Sequence, residues 1–459
     1  MSSLVKFWGP VMELFFDANH CVQWGDTTPP HLSLSNLYFN LDFRVIMKDI
    51  NTDELDIVTG ELARQSSTIP SKLTTGFITC GVPNDAINAR DTTDTADTHS
   101  LPEMQQPPLG SYEDGSYSST VITSWIVAGV DLTRASAAYR KAAHQLSKVS
   151  PLNIGHSLQD ILSFAGVLLL CPSQHSEVMM VHLDKVDEVT QVLLSGTLDK
   201  DLDWNDHEYL VLSRVIKNLA KNIELKLASD LHPTKKAIVK GIIRAISKLP
   251  AYALKDERCI GENELTCSYF DPILSRLLAN PASGVHLRWS DITVAETPRQ
   301  RPDAVISKMK QLSFGPSLGF GEAKVQSTPK YDLCHNLLRL ALFSKESIDM
   351  NKLAGCLSFQ IHGFGITFYL MQLQHTGIYT MIEIGHLAFP RSIHKLSTFI
   401  NLSALTTLLH VGDAFWRLCR TVNDPSVIAS CSTPTPSCLY EAISLSKCSA
   451  RECSIRFEK

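Results

Sequence analysis

Between Arg301 and Gln326 the chain reads RPDAVISKMKQLSFGPSLGFGEAKVQ, which sets Asp303 after a proline and Glu322 two residues before Lys324. In an extended strand, positions i and i+2 project from the same face, so Glu322 and Lys324 would stand side by side. Asp303 begins the preceding extended stretch. If the two stretches pair, Asp303 and Glu322 can converge across the ladder. Two carboxylates with a backbone carbonyl such as that of Ala323 make a hard, all-oxygen set suited to Mg2+ or Mn2+. A divalent ion there would polarise a phosphodiester and lower the pKa of a bound water. Lys324 could position or deprotonate that water, or stabilise charge developing on the phosphate. The ion's charge would help hold the lysine's pKa down. The alternative is that Asp303 caps a strand and that Glu322 and Lys324 form a solvated edge pair.

An acid and a lysine two apart is a weak signal taken alone. Glu224 and Lys226 in NIELKLASD share the spacing, but the surrounding period is helical, so their side chains diverge. Other chemistries find less support. The chain has no G-x-x-x-x-G-K-[ST] phosphate loop and no G-x-S-x-G elbow. No H-x-x-x-H pair argues for zinc, and His362 and His386 read as hydrogen-bonded strand residues. Glu383, in the apolar run YTMIEIGHL, is either buried with a partner or on a solvated face.

The elements that must position the acidic pair follow from hydrophobic period. EYLVLSRVIKNLAKNIELKLASDL and TKKAIVKGIIRAISKL are helical; residues 204–258 carry eleven basic and six acidic side chains, a face either solvated or able to track phosphates. GENELTCSYFDPILSRLLAN is helical with a kink or restart at Pro272. GVHLRWSDITVAE, DAVISKM and LGFGEAKVQ read as strands, the last two joined by a turn holding Gly315, Pro316 and Gly319. A helix over 331–350 follows, then CLSFQIHGFGITFYLMQLQ and IYTMIEIGHLAF as two long strands joined at HTG, then a closing helix. The expected fold class is α/β: a compact module over 201–422 with a central mixed sheet.

Outside that module, residues 1–83 mix apolar and acidic stretches, 84–120 is poor in apolar residues and reads as a disordered linker, 121–200 reads as mainly helical, and the Cys/Ser/Thr-rich tail 423–459 reads as flexible. Residues 1–120 hold six Lys/Arg against sixteen Asp/Glu, so the acidity of the chain is concentrated at its front and the remainder is mildly basic. Twelve scattered cysteines without any C-x-x-C argue for unpaired thiols in a reducing compartment. The longest strongly apolar run, ILSFAGVLLL, is about half a membrane span. A soluble intracellular protein of nucleus or cytoplasm is therefore expected, with no membrane partner.

RPDAV…GFGEAKV resembles the core of the PD-(D/E)XK (restriction-endonuclease-like) nuclease superfamily, whose fold is α-β-β-β-α-β with this motif on the second and third strands. From about Glu264 to Trp416 the chain is also similar to an uncharacterised family of mucoromycete fungal proteins, through LRW, RPDAVI, GFGEAK, ALFSKESID, FQIHGFGITFYL and IYTMIEIGHLAFPRS. The resemblance covers roughly the C-terminal half. It implies that Asp303 and Glu322 are metal ligands and Lys324 the catalytic lysine. It also implies a glutamate ligand from the first core helix, falling on Glu264 with Glu262 as a near competitor. Gln326 would continue the face of Glu322 and Lys324 and touch the scissile phosphate. The expected function is a Mg2+-dependent (or Mn2+-dependent) nuclease acting on DNA ahead of RNA, with a second copy of the chain as a further partner. The rival from another class is a non-catalytic binding scaffold on a degenerate nuclease fold.

Overall fold

The computed structural model describes residues 124–219, 231–289, 293–297, 300–436, a few positions beyond, and the backbone of three N-terminal strands. Those strands, His20–Thr27, Leu41–Met47 and Leu55–Gly60, form an antiparallel sheet in a unit of its own, Met1–Val121. The proposed linker 84–120 lies outside the described residues, as do Glu224 and Lys226.

The second unit, Ile122–Lys459, is built on a seven-stranded mixed sheet. Its strands are β1 (Val167–Leu170), β2 (Val285–Trp289), β3 (Ala304–Lys310), β4 (Ser313–Lys324), β5 (Cys356–His362), β6 (Gly365–His375) and β7 (Ile378–Ala388), and their order across the sheet is β1-β7-β6-β5-β4-β3-β2. β2, β3 and β4 form an antiparallel meander, whereas β5 lies parallel to β4. That parallel step needs a crossover, supplied by the helix α4 (Lys330–Asn351). In chain order the main elements from Glu262 are thus helix, three strands, helix and strand, followed directly by β6 and β7.

Among the other helices that pack into the core of this unit are α2 (Pro233–Ile246), α3 (Asp271–Leu277) and α5 (Leu402–Leu418). Phe320 of β4 meets Phe343 of α4, so the even-numbered face of β4 carries α4. The odd-numbered face carries the other layer: Phe359 stands beside Gly321, contacts Trp289, and Trp289 Nε1 donates to Asp271 of α3. Both faces of the sheet are therefore covered by helices, and its interior positions are sealed from water.

Several sequence expectations are corrected by this sheet. Residues 121–200 and 201–422 share it: VLLL pairs in parallel with β7 through Val167↔Tyr379. Val167 and Leu169 pack into the main core and Leu168 and Leu170 into a second cluster with Leu132, Tyr139 and Met179. A strand buried on both faces reads as an unbroken apolar run, which hid it. The stretch 356–374, expected as one strand, is β5 and β6 folded about Gly363, whose φ of 54° is left-handed.

The β3–β4 turn is Gln311–Leu312, both with positive φ, not the Gly315–Gly319 segment. Gly315 and Pro316 lie inside β4 where its register with β3 slips twice. Proline offers no ladder N–H and is tolerated at such bulges. The freed Ser317 N–H and hydroxyl are taken by the buried carboxylate of Glu296, both at 3.0 Å.

The tail is not loose throughout. Helix Pro425–Cys431 docks on the sheet, with Gly377 N–H donating to Cys431 O at 2.8 Å, and the fully buried Lys345 donates to Thr433 O. Within the basic window 204–258, Lys235 is buried against Glu208 (2.7 Å) and Trp204, so it belongs to no solvated face. Cys259, Cys267, Cys356, Cys419 and Cys431 form no disulfide. Among the described residues no helix is long and apolar enough to cross a membrane.

Candidate active site

The last rung that β3 and β4 form is Ala304↔Gly321. One step further sets Asp303 opposite Glu322, so the two acids meet across the antiparallel pair. Asp303 is also a strand cap, because its Oδ2 accepts the Ala323 N–H at 2.8 Å and continues the ladder where β3 has ended. The capping role and the convergence thus coexist in one residue. Glu322 is no solvated edge residue: it is completely buried.

Burial, first, pushes the Glu322 carboxyl well above the usual carboxylate range; the Asp303 charge and a carboxyl–carboxyl hydrogen bond add to this, against the pull of Arg339 and Lys324. Arg339, from α4, lies 3.2 Å (Nη2) from Glu322 Oε1 and 3.3 Å (Nη1) from Oε2. The Nη2 contact is close but not aligned as a hydrogen bond, so Oε1 is a buried acceptor without a donor. Nη2 donates instead to Arg301 O at 2.6 Å.

Lys324 sits beside the pair on the same face of β4. Its Nζ lies 3.4 Å from Asp303 Oδ2 and 3.1 Å from Glu262 Oε2. Partial burial works against its charge, but Asp303, Glu262 and Glu322 outweigh that and hold its pKa above the usual lysine value. Lys324 is therefore an ammonium here, and the depression that a bound cation would cause starts from a raised value.

The glutamate that reaches the lysine is Glu262, not Glu264. Glu264 is exposed two residues along, and its charge bears on Tyr269. Both belong to the helical run 262–277, in which Leu265–Phe270 is π-helical and leads straight into α3. Asp271 keeps helical angles (φ −54°, ψ −40°), and a regular α-helix restarts there with Pro272 in its first turn, where no N–H is needed. The wider π turn accommodates the proline. It also turns the first residues relative to a regular helix, which is why counting along the sequence does not choose between Glu262 and Glu264.

Gln326 does not continue the face of Lys324. β4 ends at Lys324, and Gln326 lies in the following turn, exposed, with its amide packed over Gly363 and its carbonyl 3.0 Å from His362 Nε2. His386 Nδ1 pairs with Thr367 Oγ1 at 2.9 Å, so both strand histidines are hydrogen-bonded within the scaffold. Glu383 is buried.

Arg339 is the residue that the sequence pattern does not single out. Its trace is a cation among Leu337, Leu338, Leu340 and Ala341, one helical turn before Phe343, over whose ring it lies at 5.4 Å. An arginine on the buried side of a crossover helix needs an acid, and Glu322 is the one within reach. Among the described residues no three His, Cys, Asp or Glu side chains are grouped to hold a metal ion. The oxygen set of Asp303 and Glu322 is hard, adjacent and includes an acceptor without a donor, which fits a hard cation in kind; Arg339 provides the counter-charge that such an ion would have to replace. No known protein family, curated protein or solved structure matches the chain.

Proposed function

We propose that the chain is a divalent-cation-dependent phosphodiester hydrolase of the PD-(D/E)XK type, acting on DNA. The observation that carries this reading is the rung that sets Asp303 against the fully buried Glu322, with Lys324 3.4 Å from Asp303 on the same face. The helix–three strands–helix–strand order from Glu262 supports it, since the acids fall on the second and third of those strands. Asp303 and Glu322 would hold Mg2+ or Mn2+, which supplies charge neutralisation at the phosphate and a more acidic water. Asp303 stays aligned because the Ala323 N–H fixes it. Lys324, held protonated by its three acidic neighbours, is suited to stabilising negative charge on the phosphate rather than to taking a proton.

A non-catalytic scaffold is favoured by one observation: Arg339 already neutralises Glu322, as a degenerate site would need. Incubation of the full chain with DNA separates the two. Cleavage should require Mg2+ or Mn2+ and stop with a chelator. Lys324→Ala should abolish cleavage while Mn2+ still raises the melting temperature, because the lysine is not a ligand. Asp303→Asn should lose both responses. Equal residual cleavage by wild type and Lys324→Ala would mark a contaminant and leave the scaffold. RNA in place of DNA, and the mass of the protein in solution, test the substrate and a self-paired assembly.

A further inference from the structure

A concave feature lies at the end of the strands opposite the acidic pair. β6 begins at Gly365, level with His362 and hence with Lys324, and ends at His375, so the β6–β7 hairpin tip is remote from the acidic pair. Against that tip packs the helix α1 (Leu132–Val149). Between them runs a groove of about 530 Å3, lined by Ser136, Arg140, Lys141, His144 and Lys148 of α1 and by Thr376 and Ile378. That volume lies within the range of small-ligand sites, roughly 300–1,000 Å3.

The lining is one-sided in charge. None of its residues is acidic, and Arg140, His144 and Lys148 recur at four-residue steps, so they rise about 6 Å apart along the helix. Lys141 extends the row. Arg140 is anchored: its Nη2 donates to Gly377 O at 3.0 Å, and it lies against Gly166, where an added Cβ would come within 3.2 Å of it. Lys141, His144 and Lys148 are exposed. Beneath the row, Ser136 is only 5% exposed and its hydroxyl has no hydrogen-bond partner. A buried hydroxyl without a partner is costly unless a ligand completes it. An ordinary solvated basic face would have neither the concavity nor that buried hydroxyl.

We propose that this groove binds a nucleotide-sized anion carrying consecutive phosphate groups. Phosphates match the guanidinium and ammonium groups of Arg140, Lys141 and Lys148, and the Ser136 hydroxyl and the aliphatic stems with Ile378 serve the rest of the ligand. The inference is independent of the hydrolase reading, because no residue of the acidic pair takes part.

Calorimetric titration of the full chain in a chelator-containing buffer tests it, with inorganic tripolyphosphate, a nucleoside triphosphate and a short oligothymidylate as separate probes. Tripolyphosphate or the triphosphate should bind saturably at one site. Lys141→Gln/Lys148→Gln should weaken that binding about tenfold, and Lys141→Glu/Lys148→Glu more, since each lost or reversed contact charge costs affinity in the low-salt regime. Asp303→Asn should bind as wild type does. Absence of saturable binding by both small probes overturns the proposal, as does equal affinity in the glutamine variant, with folding of each variant checked by circular dichroism. Binding of the oligothymidylate alone overturns the small-ligand assignment in favour of a nucleic-acid strand. Binding lost in Asp303→Asn places the anion at the acidic pair and equally removes the groove.

Discussion

Arg339 and Glu322 form an ion pair across two layers: a guanidinium of the crossover helix reaches a fully buried carboxylate of the central sheet at 3.2 Å. The pair couples the packing of α4 to the state of the acidic pair. Removing one partner of a buried pair leaves the other charge uncompensated, at about 3–5 kcal/mol, whereas removing both is often nearly neutral. Because the Glu322 carboxyl already binds its proton tightly and can take one up when the guanidinium is gone, Arg339→Leu should cost less than that, about 1–3 kcal/mol at neutral pH in denaturant unfolding. Glu322→Gln/Arg339→Leu should recover most of it. A double variant no more stable than the arginine variant would show that Arg339 acts through packing on Phe343 instead.

Gly321, next to Glu322, marks a close approach. A Cβ there would overlap the ring of Phe359, which is itself held against Trp289 and Phe368 with ring centroids at 5.8 and 6.4 Å. The ring has little room to yield. Gly321→Ala should cost about 1–3 kcal/mol, the range for overpacked cores. Shrinking the obstacle in Gly321→Ala/Phe359→Leu should return part of that loss. If the single variant melts like wild type, the ring is free to move and the glycine of GFGE is there for another reason.

Leu312 is the most improbable residue in the β3–β4 hairpin. Its φ is 66°, its neighbour Gln311 has 45°, and Leu312 is 96% exposed, so it contributes no core contact. A left-handed residue with a side chain costs about 1–2 kcal/mol, and glycine gives back about 0.4–1 kcal/mol through the freedom it adds to the unfolded chain. Leu312→Gly should thus stabilise the protein by roughly 0.5–1 kcal/mol. A lower melting temperature would mean that Leu312 is kept for a contact outside this chain.

What the sequence reveals here depends on whether the controlling interaction is local. The strand pair that brings Asp303 to Glu322 follows from alternation and is legible, as is the helix over 331–350. Three features are not. The VLLL strand is buried on both faces and lacks alternation; the π turn before Pro272 shifts Glu262 into the place that counting assigns to Glu264; and Arg339 meets Glu322 only through the crossover topology. Glycine and proline in SFGPSLG suggest a turn by composition, yet Glu296, distant in sequence, satisfies the backbone there and lets the strand run through.

A buried acid away from the candidate site offers a test in pH. Asp160 is buried between α1 and β1, where its Oδ1 accepts hydrogen bonds from Tyr139 (2.9 Å) and Ser176 (2.6 Å). Burial raises its pKa, and the two hydroxyl bonds, which favour the ionised form, only partly offset this. A carboxyl whose pKa is higher folded than unfolded binds its proton more tightly in the native state. Its contribution to stability is complete below the unfolded pKa, declines as pH rises through the folded pKa, and above that leaves the cost of a buried charge. Asp160→Asn keeps the oxygen that accepts both bonds and removes the charge. At neutral pH the variant should match or exceed wild-type stability, by up to about 1 kcal/mol. Below the ordinary carboxylate range the advantage should vanish, because Asp160 is then neutral in both states. Melting curves from acid to neutral pH decide the matter. A variant that is less stable at neutral pH than in acid, relative to wild type, would show that the ionised carboxylate and its two hydroxyls are worth more than burial costs.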